Sequence, residues 1–234
     1  MKRILYIFPH PDDESFGPAP AIAAQRRAGH QVYLLTLTKG EATKQRFRLG
    51  VEKEEMGEIR YREMQCVEKV LGLSGMTVLD FPDGRLKELD PIELEKRIEE
   101  EIRRIEPDVV ITYAVHGVSG FEDHLVSHAV VKRAWCAMKR RGEAPARLAF
   151  YTHRGEVNRD GKFTLQTSSD EEIDCITRCS EEDMEAFHKA LDCYETYEEV
   201  IEQSGVRKVV TGEVPFEFFQ EVLDEFASDV TEGL

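Results

Sequence analysis

The sequence predicts an α/β protein built on a doubly wound, mostly parallel sheet flanked by helices, and three observations carry that prediction. Short β-branched runs alternate with longer amphipathic stretches, the pattern of stacked βα units. A loop dense in Pro and acid follows the first run, at the carboxyl end of a strand, where open α/β sheets bind their ligands. The chain has 234 residues and a mass of 26.8 kDa, room for one such core and too little for two enzyme domains. Residues 1–234 therefore read as one domain, which neither an internal repeat nor a Gly-, Ser- or Pro-rich linker divides.

Arg3 to Phe8 is the first strand and Pro9 to Pro20 a loop. Ala21 to Ala28 is a helix that Gly29 ends, because glycine takes the left-handed conformation after a helix without a Cβ penalty. Gln31 to Thr38 is the second strand, and the polar, basic stretch Lys39 to Gly50 is a surface loop. Glu52 to Leu71 carries Ile59, Met64, Val67, Val70 and Leu71 at helical spacing and closes at Gly72; Met76 to Phe81 is the third strand. Asp90-Pro91 opens a helix with an acid at the N-cap and Pro in the first turn, ending at Ile105 before Pro107. Asp108 to Ala114 is a buried fourth strand, His116 to Gly120 a loop, and Asp123 to Arg140 a helix with Leu125, Ala129, Val130 and Ala134 at its apolar positions. Arg147 to Thr152 is the fifth strand, Asn158 to Lys162 a hairpin-like turn, and Ile173 to Cys179 the sixth strand. Ser180 with Asp183 makes a capping-box start to a last helix through Ile201, and the residues after Gly205 show no clear element.

Thirty-one Lys and Arg against 46 Asp and Glu leave a net charge of −15, whose field repels phosphate backbones and anionic lipid, so nucleic acid is excluded as a partner. No apolar run approaches the roughly 20 residues of a membrane span. The first residues meet Pro9 and a string of charges too early for a signal-peptide core, and the protein reads as cytoplasmic. Five scattered cysteines (Cys66, Cys136, Cys175, Cys179, Cys193) are odd in number and fit reduced thiols better than a disulfide framework. Cys175 and Cys179 are flanked like a strand rather than like a zinc knuckle.

Chemistry concentrates in two segments. Pro9-His10-Pro11-Asp12-Asp13-Glu14 places one imidazole and two adjacent carboxylates beyond the first strand. They fit a divided task in which His10 and one Asp hold a borderline metal such as zinc while the other Asp takes a proton from water; an ordinary Pro- and Asp-rich turn is the alternative. The second segment, His116 to His124, follows the fourth strand, which can sit beside the first where the strand order reverses, so the two loops can face each other. His124 and His128 stand i, i+4 on one helix; either could reach a metal, and His128 could equally be a packing residue.

The two segments together resemble the PIG-L/LmbE-like family of zinc-dependent N-acetyl deacetylases, Rossmann-like enzymes that act on N-acetylglucosamine conjugates. His-Pro-Asp-Asp-Glu stands intact at positions 10 to 14, and the likeness runs from Arg3 through the helix at Asp123. The resemblance implies that His10, Asp13 and His124 bind Zn2+ or another divalent ion such as Fe2+, and that Asp12 is the general base. Arg60 and Glu63 match the family's Arg-x-x-Glu helix and Asp83-Gly84 its Asp-Gly turn, which implies substrate contacts at Arg60, Glu63 and Asp83. Their plainer alternatives are a solvated i, i+3 ion pair and a turn. The implied partner is a small N-acetylated sugar conjugate, and a homo-oligomer stays open.

One departure stands out. The family's second motif is usually His-Pro-Asp-His, whose first His helps stabilise the charged intermediate; here the segment is Phe121-Glu122-Asp123-His124. The Phe121 side chain cannot donate a hydrogen bond, so the missing donor must come from elsewhere, with His116, His128, His153 and Tyr194 as candidates, or turnover is weaker. Two further functions follow as alternatives: an amidase acting on a thiol-sugar conjugate, and a metal-binding relative with lost or weak turnover. The intact Asp12 speaks against lost turnover, because a pure binder needs no base.

Overall fold

Side chains alternate along the first strand and so build two cores. In β1 (Arg3–Phe8), Ile4, Tyr6 and Phe8 enter one buried cluster while Leu5 and Ile7 enter another on the opposite face. The structure, a computed structural model, describes residues 1–155, 165–223 and 225–234. The hairpin-like turn expected at Asn158 to Lys162 lies outside them.

β1 pairs in parallel with β2 (Gln31–Thr38) on one side and β4 (Val109–Tyr113) on the other. β3 (Gly75–Phe81) and β5 (Arg147–Tyr151) extend the parallel sheet outward, and with β6 (Cys175–Arg178) and β7 (Glu213–Phe218) the full order is β3-β2-β1-β4-β5-β7-β6. Strand order reverses between β1 and β4, so the loops leaving these two strands flank one crevice. One face carries α1 (Ala19–Arg27), α3 (Lys53–Leu71) and α6 (Glu181–Asp192) through Ile22, Met64, Val67, Phe187 and Leu191. The other carries α4 (Pro91–Ile105) and α5 (Glu122–Arg141) through Leu94, Ile98, Val131 and Trp135. No helix among the described residues is long and apolar enough to cross a membrane.

Local signals place these elements well. The side chain of Asp90 accepts from the Ile92 amide at the start of α4, and Ser180 and Asp183 form the reciprocal capping box of α6. The loop after β2 holds a short helix, α2 (Gln45–Leu49), which the weak pattern of Lys39 to Gly50 did not announce. Larger differences fall in the last third. The helix expected through Ile201 stops at Asp192; a 3-10 turn at Glu195–Tyr197 intervenes before α7 (Glu198–Ser204). Beyond Gly205, where no element was expected, α8 (Val206–Val209) leads to β7 (Glu213–Phe218). β7 runs antiparallel between β5 and β6 (Cys175–Arg178).

The expectation of five reduced thiols is also corrected: Cys66 of α3 and Cys193 beyond α6 form a disulfide, with Cα atoms 5.7 Å apart. The partners lie 127 residues apart and meet only because α3 packs on α6, which spacing does not reveal. Cys136, Cys175 and Cys179 are free.

Candidate active site and metal centre

The chain leaves β1 at Phe8 and turns sharply through His10 to Asp13. Asp12 takes φ +89°, a conformation that costs a non-glycine residue free energy and persists only where its surroundings hold it. Several contacts do so. The Asp12 carbonyl accepts from the Ser15 and Phe16 amides at 2.8 and 2.9 Å, its amide donates to the Tyr194 hydroxyl at 2.8 Å, and the His10 amide donates to Asp13 Oδ2 at 2.8 Å.

Across the crevice, the loop after β4 delivers His124 on the first turn of α5. Gly117, at φ +64°, is needed there, since a Cβ would stand 2.9 Å from that of His124. His124 Nδ1 lies 2.9 Å from the Gly117 carbonyl, which fixes the tautomer and turns Nε2 toward Asp13 Oδ1 at 3.3 Å. The ring stacks on Tyr113, 4.3 Å between centroids, and the Tyr113 hydroxyl donates to Asp13 at 2.7 Å.

His10 is oriented in the same way. Its Nε2 lies 3.2 Å from Asp123 Oδ2 and 3.3 Å from Asp83 Oδ1, which leaves Nδ1 facing Asp13 Oδ2 at 3.5 Å. Asp123 also accepts from the Gly84 and Leu86 amides at 2.8 and 3.1 Å, so the Asp-Gly turn after β3 is tied to the same carboxylate. Sequence reasoning gave Asp123 no role. Its signal was present: it stands next to His124 in the second motif, and a ligating imidazole commonly donates its other N–H to a carboxylate.

His10, Asp13 and His124 thus offer two ring nitrogens and a carboxylate oxygen within 4.8 Å of one another. The donor set fits a divalent ion held by three protein ligands with an open position. Electrostatics favours a cation there. Burial pulls the His10 pKa down, yet Asp123, Asp13 and Asp83 together raise it well above the usual imidazole range. Burial works against ionised Asp13 as well, but His124 and His10 hold it well below the usual carboxylate range. A second group, His10 with Asp83 and Asp123, brings its donor atoms equally close, but its oxygens already accept from the Gly84, Leu86 and Ala42 amides.

Asp12 is set apart from these three side chains by its partner. Arg60 of α3 donates from Nη2 to Asp12 Oδ2 at 2.8 Å and to the Pro11 carbonyl at 2.6 Å. Burial raises the Asp12 carboxyl to about 7, with Arg60 opposing and Asp13 reinforcing the rise. A carboxylate tuned close to neutrality is matched to proton transfer. Glu63 does not reach this cavity; its carboxylate takes the amide and hydroxyl of Thr196 at 2.7 and 2.9 Å. Arg60 and Asp83 do line it, together with His10, Asp12, Asp13 and His124, around a volume of about 660 Å³.

Residues 5–135 match the family described as PIG-L: GlcNAc-PI de-N-acetylase. The chain belongs to the PIG-L family. Among its curated relatives, a 1D-myo-inositol 2-acetamido-2-deoxy-alpha-D-glucopyranoside deacetylase of Kineococcus radiotolerans is 31% identical over 167 residues, 57% of this chain and 44% of the relative. The chain spans about half the length of the curated relatives it matches. Among solved structures, the conserved protein TT1542 from Thermus thermophilus superposes with a TM-score of 0.71 at 22% identity, covering 95% of this chain and 97% of that one. GalB, the 4-carboxy-2-hydroxymuconate hydratase of Pseudomonas putida, superposes at 0.68 with 18% identity and coverage of 97% and 100%. These likenesses speak for the fold alone, and the reaction has to be argued from the site.

Within this PIG-L site, the two histidines of α5 separate. His128 Nδ1 lies 2.8 Å from the Tyr113 carbonyl and its ring packs 4.7 Å from Phe150, away from Asp13. His124→Ala is therefore expected to strip most of the bound metal, and His128→Ala to leave occupancy near that of the parent, as read by elemental analysis of the purified variants. The reverse order would move the centre one helical turn.

Phe121 lines the cavity and sets its ring edge-on to His124 at 5.6 Å. Of the four candidate substitutes for its missing donor, His153 lines the same cavity, with Nε2 3.0 Å from the Tyr151 hydroxyl. His116 lies beside Ser168 and Thr152, and the Tyr194 hydroxyl is engaged with Asp12 and Glu14.

Proposed function

We propose that this chain is a metal-dependent deacetylase of N-acetylglucosamine-type conjugates, with Zn2+ or another divalent ion such as Fe2+ held by His10, Asp13 and His124. The observation that supports it is the separation of roles within one turn: Asp13 faces both histidines, while Asp12 turns away to Arg60 with its carboxyl raised to about 7. When bound, the ion would polarise the amide carbonyl as a Lewis acid and make water acidic enough to lose a proton near neutrality.

The chain's own residues supply the rest. Asp12 takes the proton from water and can return it to the departing amine, which leaves only when protonated. Arg60 keeps the Asp12 carboxylate in place through the whole cycle. Asp83 and Lys44 line the cavity beside it and offer an acceptor and a donor for sugar hydroxyls. His153 is the donor best placed to replace the family's missing His, since it shares the cavity with the acid pair.

Acetate release decides the matter. The chelated protein is expected to be inactive on N-acetylglucosamine conjugates, and Zn2+ or Fe2+ is expected to restore turnover. Absence of acetate from every N-acetylated sugar, with cleavage of a thiol-sugar amide instead, would replace the deacetylase by the amidase.

A further inference from the structure

The four residues after Cys193 touch the base, its guanidinium partner and the cavity wall at once. The Tyr194 hydroxyl accepts from the Asp12 amide at 2.8 Å and donates to Glu14 Oε1 at 2.7 Å. Tyr194 is 1% exposed and Glu14 fully buried, so neither group has water as a substitute partner. Glu63 of α3 holds Thr196, and the Tyr197 ring lies under the Arg60 guanidinium at 3.8 Å while its hydroxyl donates to Thr43 at 2.6 Å. The segment is bonded covalently to α3 through Cys193 and Cys66, and Cys66 is exposed.

We propose that Tyr194 is the positioning residue of Asp12, and that the Cys66–Cys193 disulfide sets its position by fastening this segment to the helix that carries Arg60. The proposal rests on Asp12 acting as the base under the function proposed above. Asp12 sits at positive φ, where a non-glycine residue relaxes unless it is held. Its carbonyl is held by its own turn, and its amide by a hydroxyl that arrives from 182 residues away. That hydroxyl is itself oriented, because the buried Glu14 carboxyl takes its proton side and leaves the lone pair for Asp12. With the disulfide open, the segment loses its covalent tie to α3 and keeps the Thr196–Glu63 bonds, the contacts of Arg60 with Thr196, Tyr194 and Tyr197, and the packing of α6 on α3. Thiol reduction would therefore loosen the base without touching a metal ligand.

The test uses the full chain loaded with Zn2+, in two arms. Hydrogen exchange at the Asp12 amide reads the positioning directly, and kcat and KM for acetate release read its consequence. Tyr194→Phe is expected to speed exchange about tenfold and lower kcat about tenfold, with KM within about twofold and metal content unchanged. Cys66→Ser is expected to move both readouts in the same direction, and Cys136→Ser neither. Exchange at the parent rate in Tyr194→Phe overturns the proposal, and so does faster exchange with an unchanged kcat. Parent-like behaviour of Cys66→Ser overturns the role given to the disulfide, and that variant still decides should Tyr194→Phe fail to fold. If the parent enzyme releases no acetate, the proposed function falls and the exchange arm alone decides the positioning.

Discussion

Asp12→Asn is expected to keep its metal and lose turnover by about 10²–10⁴-fold, while Asp13→Ala is expected to lose the metal itself. The two substitutions are neighbours in sequence and act through different physics. Asn keeps the shape of Asp12 and a carbonyl oxygen for the Arg60 guanidinium, so the turn and the cavity persist. What it cannot do is take a proton. Asp13 has no such substitute role: it is the acid that both His10 and His124 face, and without it His10 is left to Asp123 and Asp83 and His124 to the Gly117 carbonyl, with no carboxylate oxygen between the two rings. Metal content by elemental analysis, beside the rate of acetate release, separates the two. Equal metal loss in both variants would reject the division of labour.

Much of this centre was legible because its parts are local. His10, Asp12 and Asp13 sit in one turn, β1 and β2 keep the bounds their β-branched runs predict, and the neighbouring place of β4 follows from ordinary doubly wound topology. The parts that were not legible are those that long-range packing creates. β7 hides behind Pro215, which lacks the N–H a strand interior normally uses and so breaks the pattern, yet Pro215 pairs in register with Ile176. Its carbonyl accepts from the Thr152 amide at 3.3 Å, so the residue serves the sheet as an acceptor alone. Arg60 and Glu63 looked equally able to be a solvated pair or substrate contacts. The fold divides them: Arg60 turns inward to Asp12, and Glu63 closes over Thr196, 133 residues away. Nothing at i, i+3 on a helix says which of two faces a guanidinium will take when the partner comes from another layer.

Arg60 is expected to carry a large share of the stability around the site. Its side chain is 1% exposed; it donates to the Pro11 carbonyl and Asp12, lies 3.6 Å from Glu63 and stacks over Tyr197. A surface pair at this spacing would contribute a few tenths of a kcal/mol. Here, Arg60→Met takes the guanidinium from a half-buried Asp12 and a buried Glu63, and removal of one partner of a buried pair costs about 3–5 kcal/mol. For a chain of this size that lowers Tm by about 6–20 °C. Turnover should fall with it, because Arg60 is what opposes the burial that already lifts Asp12 to about 7; without the guanidinium the carboxyl is protonated at neutral pH and no longer a base. Arg60→Lys keeps the charge and loses the fork that spans Pro11 and Asp12, so it should recover part of the stability and less of the rate. The decisive measurement is the double variant Arg60→Met with Asp12→Asn. If the penalty comes from an uncompensated charge, removing that charge restores part of the lost Tm, and the two changes are strongly non-additive. Additive losses would mean that Arg60 contributes through packing against Tyr197 and Tyr194 rather than through its charge.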